Sequence, residues 1–256
     1  MGACHPRPPA RDTQRIGSAA LQPKRATALR AGSRNEARRV RSMRVAIAGG
    51  HGQIALRLAE VLSRRGDEVV ALIRNPDHVD DVRRAGAEPA VVDLEHASED
   101  DVARAIAGAD AVVFAAGAGP GSGPARKETM DYGGAVKLIA AAKQAGVGRY
   151  VIVSSMGADP DLPGDDTFSV YQRAKGRADD AVRASGLDAT VVRPGSLTND
   201  PGTGRVHLGE RVPRGQVTRD DVAAVLAAVI ESPNTIGRTV DLIGGDTPVA
   251  EAVKAI

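Results

Sequence analysis

The chain has no tryptophan, two phenylalanines and three tyrosines in 256 residues, so any core it builds must be largely aliphatic. Its single cysteine, Cys4, excludes a disulfide framework and a cysteine metal site. A reducing, cytoplasmic setting fits that usage. No apolar run approaches the roughly 18 residues that a bilayer-spanning helix needs, and no secretory h-region is present. There is no internal repeat and no long linker. His207 has no partner at metal-ligand spacing, and no metal is expected.

Charge is divided unevenly. Residues 1–42 hold ten Lys or Arg against Asp12 and Glu36, about +8, which leaves about −6 for the remainder of a chain with net charge +2. Three readings of this tail are open. It is an arm for nucleic acid or acidic surfaces, an Arg-rich organelle transit peptide, or a disordered basic extension upstream of a domain that starts at Met43. The third is preferred, because a basic run with four prolines and almost no periodicity is usually solvated and disordered. Residues 43–256 are then a single domain, long enough to bury a sizeable core.

The richest motif lies at the start of that domain. Val45-Ala46-Ile47-Ala48 is a short apolar run that breaks at Gly49-Gly50-His51-Gly52 and passes through Gln53, Ile54 and Ala55 into an amphipathic segment ending at Arg65. This is a strand, a tight turn and a helix start. Gly49 permits backbone angles that other residues avoid. Gly52 removes a side chain where a phosphate must approach, and the helix aims unpaired N–H groups and its positive dipole end at the same spot. The chemistry served is the binding of a dinucleotide pyrophosphate. Ordinary turn geometry is the plainer alternative for the glycines alone.

Beyond Met43, strand and helix patterns alternate. Strands are expected at Arg44–Gly49, Glu68–Ile73, Pro89–Val92, Ala111–Ala116, Tyr150–Ser154, Ala189–Val192 and Thr239–Ile243. Helices are expected at Gln53–Arg65, Asp77–Ala85, from Ser98 to Ala107 with Asp101 completing a capping box, at Thr129–Ala145, Phe168–Ser185 and Arg219–Glu231, with a short one closing the chain. Such alternation implies an α/β fold, a doubly wound Rossmann-type parallel sheet with helices on both faces. Its ligands bind beyond the carboxyl ends of the strands, where strand order reverses.

Residues just after strands are therefore the site candidates. Arg74 follows the second strand, where a cation suits a 2′-phosphate, so NADP(H) is expected over NAD(H). Asp93 follows the third and is placed to accept from an adenine amine. Ala115-Ala116-Gly117 follows the fourth and lets a cofactor lie against the backbone. A surface arginine, a turn aspartate and close packing are the plain alternatives. The fifth strand ends at Ser154-Ser155, and sixteen residues beyond Ser155 comes Tyr171-Gln172-Arg173-Ala174-Lys175. On a helix, residues i and i+4 share a face, so phenol and ammonium converge. A free phenol titrates near 10 and is a poor acid–base group at neutral pH, and a neighbouring cation favours its ionised form. A surface helix pair is the alternative reading.

With these residues assembled, the chain resembles an atypical short-chain dehydrogenase/reductase of the NAD(P)-binding, NmrA-like subgroup over essentially all of 43–256. The resemblance rests on Gly49 through Ala55, Arg74, Asp93, Ser154-Ser155, Tyr171 with Lys175, and Ser185 through Arg193-Pro194-Gly195. It implies that Tyr171 is the proton donor, that Lys175 also holds the nicotinamide ribose, and that Ser155 polarises a carbonyl. It also implies that Pro194 and Gly195 lie near the nicotinamide, with the substrate side mainly in 195–256. The chain departs from the pattern in four places. Ala55 stands for a third glycine, and His51 occupies a position where a small residue or Thr is common. Ala-Ala-Gly replaces Asn-Ala-Gly after the fourth strand, and the helix from Thr129 lacks an asparagine.

Two function classes follow. One is an NADPH-dependent reductase of a small carbonyl or quinone-like compound. The other is a non-catalytic NADP(H)-binding redox sensor, as in members of the subgroup that have lost catalysis. The intact Tyr171/Lys175 pair favours the enzyme. A nucleotide-sugar epimerase is a distant third, given about sixty residues after Gly195. The partner expected is a small-molecule substrate, with neither nucleic acid nor a membrane, and no oligomer signature is read.

Overall fold

The computed structural model describes Met1 and residues 42–119 and 121–256. The expected disordered extension over 1–42 thus lies, apart from its first and last residues, outside the described residues. Alternation of strand and helix begins at β1 (Arg44–Ala48), α1 (Gln53–Arg65) and β2 (Glu68–Ile73). A 3-10 turn at Pro76–His78 precedes α2 (Val79–Arg84) and β3 (Glu88–Val91). Then come α3 (Glu99–Ala105) and β4 (Ala111–Phe114). A single turn, α4 (Pro124–Arg126), and a π-helical stretch, Lys127–Tyr132, run into α5 (Gly133–Gln144). β5 (Arg149–Val153), α6 (Thr167–Arg183) and β6 (Asp188–Pro194) follow. The remainder forms β7 (Ser196–Thr198), β8 (Arg205–Gly209), β9 (Gln216–Thr218), α7 (Arg219–Glu231), β10 (Thr239–Gly244), β11 (Thr247–Pro248) and α8 (Val249–Lys254).

Nine strands make one sheet in the order β11-β8-β10-β6-β5-β4-β1-β2-β3, while β7 and β9 pair separately. All neighbours from β3 to β10 are parallel. The parallel sheet expected from the sequence is observed, with one addition. β8 runs antiparallel to both β10 and β11 at the far edge. It escapes notice because only Val206 of its five residues is buried, which leaves no apolar run to read.

The period-two alternation of strands sorts the core into two layers. Val45, Ile47, Val69, Ala71, Val113 and Val151 point to one face, where α1, α7 and α8 cover them. Ala46, Ala48, Val70, Leu72, Phe114 and Ile152 point to the other, against α3, α5 and α6. Strands buried on both faces read as continuous apolar runs, which is why the central ones were legible. The sheet reverses its winding between β1 and β4, and the ligand crevice of such a fold opens there.

Helix ends follow the sequence signals. Ser98 Oγ accepts from the Asp101 amide at 3.1 Å while Asp101 accepts from the Ser98 amide at 3.4 Å, the expected capping box of α3. The continuous helix expected over Thr129–Ala145 is modified. Its first turns are wound as a π-helix, a local loosening that often accompanies functional sites.

Candidate active site

Three clefts adjoin one another along the carboxyl ends of the strands. The first, about 430 Å³, is lined by Gly49, Gly52, Arg74, Asp93 and Ala115 to Gly117 among others. The second, about 540 Å³, shares Ala115 to Gly117 and adds Ile54, Lys127, Asp131, Tyr171 and Lys175. The third, about 650 Å³, contains Ser155, Pro194 and Gly195, and shares Phe168 and Leu197 with the second.

The first cleft is a backbone cradle. Gly49 sits at φ +80°, and a Cβ there would stand 2.6 Å from Ala116 Cα. No larger residue fits without moving β4's exit. Gly52 caps α1 in extended conformation with no side-chain capping bond, so the amides of the first turn face the cleft mouth unshielded. Arg74, exposed, makes no ion pair or hydrogen bond with a described residue. Asp93 accepts from the Glu95 amide at 3.0 Å and from the His96 ring at 3.0 Å. Partial burial works to raise its carboxyl, but His96, the Glu95 amide and the Arg74 charge outweigh it and hold the group below its ordinary value. His51, in the turn itself, bonds Asp81 at 2.8 Å and stacks on His78 at 3.5 Å between ring centroids.

The second cleft holds the titratable groups. α6 is started by Asp166, whose carboxylate accepts from the amides of Phe168 and Ser169 at 2.9 and 3.1 Å. One turn on, Tyr171 and Lys175 share a face as the i, i+4 spacing requires, with Lys175 Nζ 5.9 Å from the Tyr171 ring centroid. Lys127 Nζ lies 5.4 Å from the same centroid, so two cations flank the phenol. The Tyr171 hydroxyl has no hydrogen-bond partner among the described residues. Lys175 is anchored. Its ammonium donates to the Val153 carbonyl at 3.1 Å and lies 3.3 Å from Asp131 Oδ1. Both side chains of that ion pair are almost fully buried.

Asp131 is not among the residues expected from the sequence, and its partnership with Lys175 comes from the structure. The signal was present. Asp131, Ala135, Leu138 and Ala142 fall at helical spacing on one buried stripe, where a lone acid needs a partner. The Asp131 carboxylate also accepts from the Ala118 amide at 3.1 Å, which ties the π-helical stretch to the loop after β4. Lys127, on that stretch, bonds the Gly119 carbonyl at 2.9 Å.

Not every expected residue comes to this point. Ser155, Pro194 and Gly195 line the third cleft rather than the one that holds Tyr171. Gln53 is exposed at the start of α1 and lines none of the three, although its carbonyl accepts from Arg57 at 2.9 Å. Asp93, Glu95 and His96 bring ligand atoms within 4.8 Å of one another, but each already bonds a protein group.

The reversal point, the glycine cradle at a helix N-terminus and the crevice along it define a dinucleotide-binding Rossmann protein. A family model described as NAD(P)H-binding matches residues 49–233, and the chain belongs to that family, in line with its resemblance to atypical, NmrA-like NAD(P)-binding proteins. A Bacillus subtilis protein named as the uncharacterized sugar epimerase YhfK is 38% identical over 84% of this chain and 100% of its own. A solved structure from Bacillus halodurans, described as an NAD-dependent epimerase/dehydratase, is 39% identical with TM-score 0.78 over 84% of this chain and all of that one. The oxidoreductase YlbE of Lactococcus lactis is 26% identical with TM-score 0.73 over 84% of this chain and 96% of its own. Among the described residues no helix is long and apolar enough to cross a membrane.

The residues present suit such a cofactor. Small groups line the cradle, a free guanidinium stands beyond β2, and a buried ammonium lies at the other end of the crevice.

Proposed function

We propose that the protein is an NADPH-dependent reductase of a small carbonyl or quinone-like compound. One observation carries the reading: Tyr171 lies in the second cleft with a hydroxyl that has no partner among the described residues and with two cations near its ring, one of them held by a buried acid. A regulator that only senses cofactor has no use for a phenol in such surroundings. When bound, the nicotinamide supplies a hydride to the carbonyl carbon. Tyr171 gives its hydroxyl proton to the oxygen that becomes the alcohol, and solvent returns a proton to the phenolate. Lys175 stabilises that phenolate and offers a donor to the nicotinamide ribose. Asp131 holds Lys175 in place. Arg74 receives the 2′-phosphate, the basis for NADPH over NADH, and Asp93 the adenine amine. Gly49, Gly52, Gln53 and Ile54 form the pyrophosphate turn. Ala115, Ala116 and Gly117 pack along the cofactor, with Pro194 and Gly195 toward its nicotinamide end. Ser155, for which the resemblance implies polarisation of the substrate oxygen, lines the neighbouring cleft and takes no part in this step.

The epimerase names belong to the Bacillus subtilis relative and to the Bacillus halodurans structure. In this chain the residues after Gly195 form short strands and two helices that edge and cover the sheet.

Tyr171→Phe tests the reading, because it removes only the hydroxyl. Turnover should fall by about 10²–10⁴-fold while NADPH affinity and melting temperature hold. Lys175→Met should lower turnover and cofactor affinity together. A Tyr171→Phe protein as fast as wild type would make the phenol structural and favour the non-catalytic NADP(H) sensor.

A further inference from the structure

The third cleft is the least explained part of the site. It borders the Tyr171 cleft through Phe168 and Leu197, both exposed apolar side chains at 63% and 38%. Among the described residues its lining includes Arg214 and Arg219 and no acid. Arg214 has no ion-pair or hydrogen-bond partner among the described residues. Among the described residues Arg219 donates only to Asn199 Oδ1, at 2.9 Å, a neutral acceptor. It also opens α7, where the helix dipole disfavours a cation. The two acids of that first turn are engaged elsewhere. Asp220 pairs with Arg57 at 2.6 Å, and Asp221 accepts from the amides of Thr203 and Gly204. The cleft is therefore positive without internal compensation.

A second feature points to a ligand there. Gln172 lines the same cleft and is only 4% exposed. Its amide nitrogen donates to the Met156 carbonyl at 3.3 Å and to Ser155 Oγ at 3.4 Å. Its Oε1 is buried and accepts no hydrogen bond from a described residue. A buried amide oxygen left without a donor costs stability, and such groups are completed by a protein donor, an ordered water or a bound molecule.

From these observations we infer that the substrate is a carboxylate-bearing carbonyl compound with a flat apolar body. The carboxylate binds Arg214 and Arg219, in the fork geometry that suits guanidinium groups. The apolar body rests on Phe168 and Leu197, which leads its carbonyl end toward Tyr171. The reacting end of this inference rests on the reductase reading. The anion site does not.

The test uses the full-length protein, with and without saturating NADP⁺, and two matched pairs: 4-formylbenzoate and 4-formylcinnamate, each against its methyl ester. Calorimetric titration should give the acids about 10- to 150-fold tighter binding than the esters, the range for charge-assisted hydrogen bonds. Arg214→Gln, at an exposed position, should reduce that ratio, and Arg214→Gln with Arg219→Gln should bring it close to one. Melting curves confirm that each variant is folded, and the single variant suffices if the double one is not. Turnover of the same pairs with NADPH is measured alongside. Arginine-dependent selectivity for the acids without turnover would support the anion site and sink the reductase reading. Equal affinity for acid and ester, selectivity that survives both substitutions, or no binding of any of the four compounds would overturn the inference.

Discussion

At the residue scale, specificity and chemistry rest on a few side chains whose partners are absent or buried. Arg74 is the clearest free group. A guanidinium with no hydrogen-bond acceptor among the described residues loses little on meeting a 2′-phosphate, and charge-assisted bonds of this kind contribute about 1.5–3 kcal/mol. Arg74→Ala should therefore weaken NADPH by about 10- to 150-fold and leave NADH nearly unchanged. Equal losses for both cofactors in fluorescence titrations would remove Arg74 from the phosphate site. Lys175 is the opposite case. Its charge is buried and held by Asp131, and a buried charge is tolerated only with such a partner. Arg149 shows the same logic away from the site. Its guanidinium donates to the carbonyls of Val229, Ile230 and Asp188 and to the hydroxyls of Thr190 and Thr235. Burial pulls its pKa down to about 10 despite the nearby Asp188 charge. It thereby serves orphan carbonyls at the end of α7.

At the element scale, α6 carries Tyr171, Gln172 and Lys175, so its first turn determines where they stand. Asp166 caps that turn, and hydrogen bonds from the Ser169 hydroxyl and amide and from the Phe168 amide hold its carboxyl below the ordinary value. The sign follows from linkage. The unfolded chain takes up this proton at the ordinary carboxylate pKa, near 4, whereas the folded chain resists it. The contribution is thus complete above that pH and is lost as pH falls through the lowered value. Asp166→Ala should melt below wild type at pH 7, and the gap should narrow below about pH 4. A gap independent of pH would assign the cap to geometry rather than charge. Elements with strong local signals were legible: α1, β2 and α7 have the bounds that their periodicity and capping residues imply. The short strands β7, β9 and β11 were not, because two or three residues carry no period and depend on partners far along the chain. The π-helical winding at Lys127–Tyr132 is likewise set by tertiary contact, with Asp131 reaching both Lys175 and the Ala118 amide.

At the scale of the whole molecule, the described residues that build both core layers and line the three clefts run from Met43 onward. A chain beginning at Met43 should accordingly keep its melting temperature and NADPH affinity, and a clear drop in either would give residues 1–42 a part in the fold or site. The doubly wound sheet places the cradle at one end of a continuous crevice and the Tyr171 cleft at the other, with the arginine-lined cleft beyond. That layout suits transfer between a cofactor along the crevice and a substrate entering from the far side. Hydride transfer itself is the central claim, and isotope labelling tests it most directly. The protein is given NADPH carrying deuterium on one or the other face of nicotinamide C4, together with a panel of aldehydes and ketones, and the alcohols are analysed by mass spectrometry. One labelled form should deliver deuterium to the carbinol carbon and the other should not, with delivery falling about 10²–10⁴-fold in Tyr171→Phe. Saturable NADPH binding with no deuterium in any product would contradict the account.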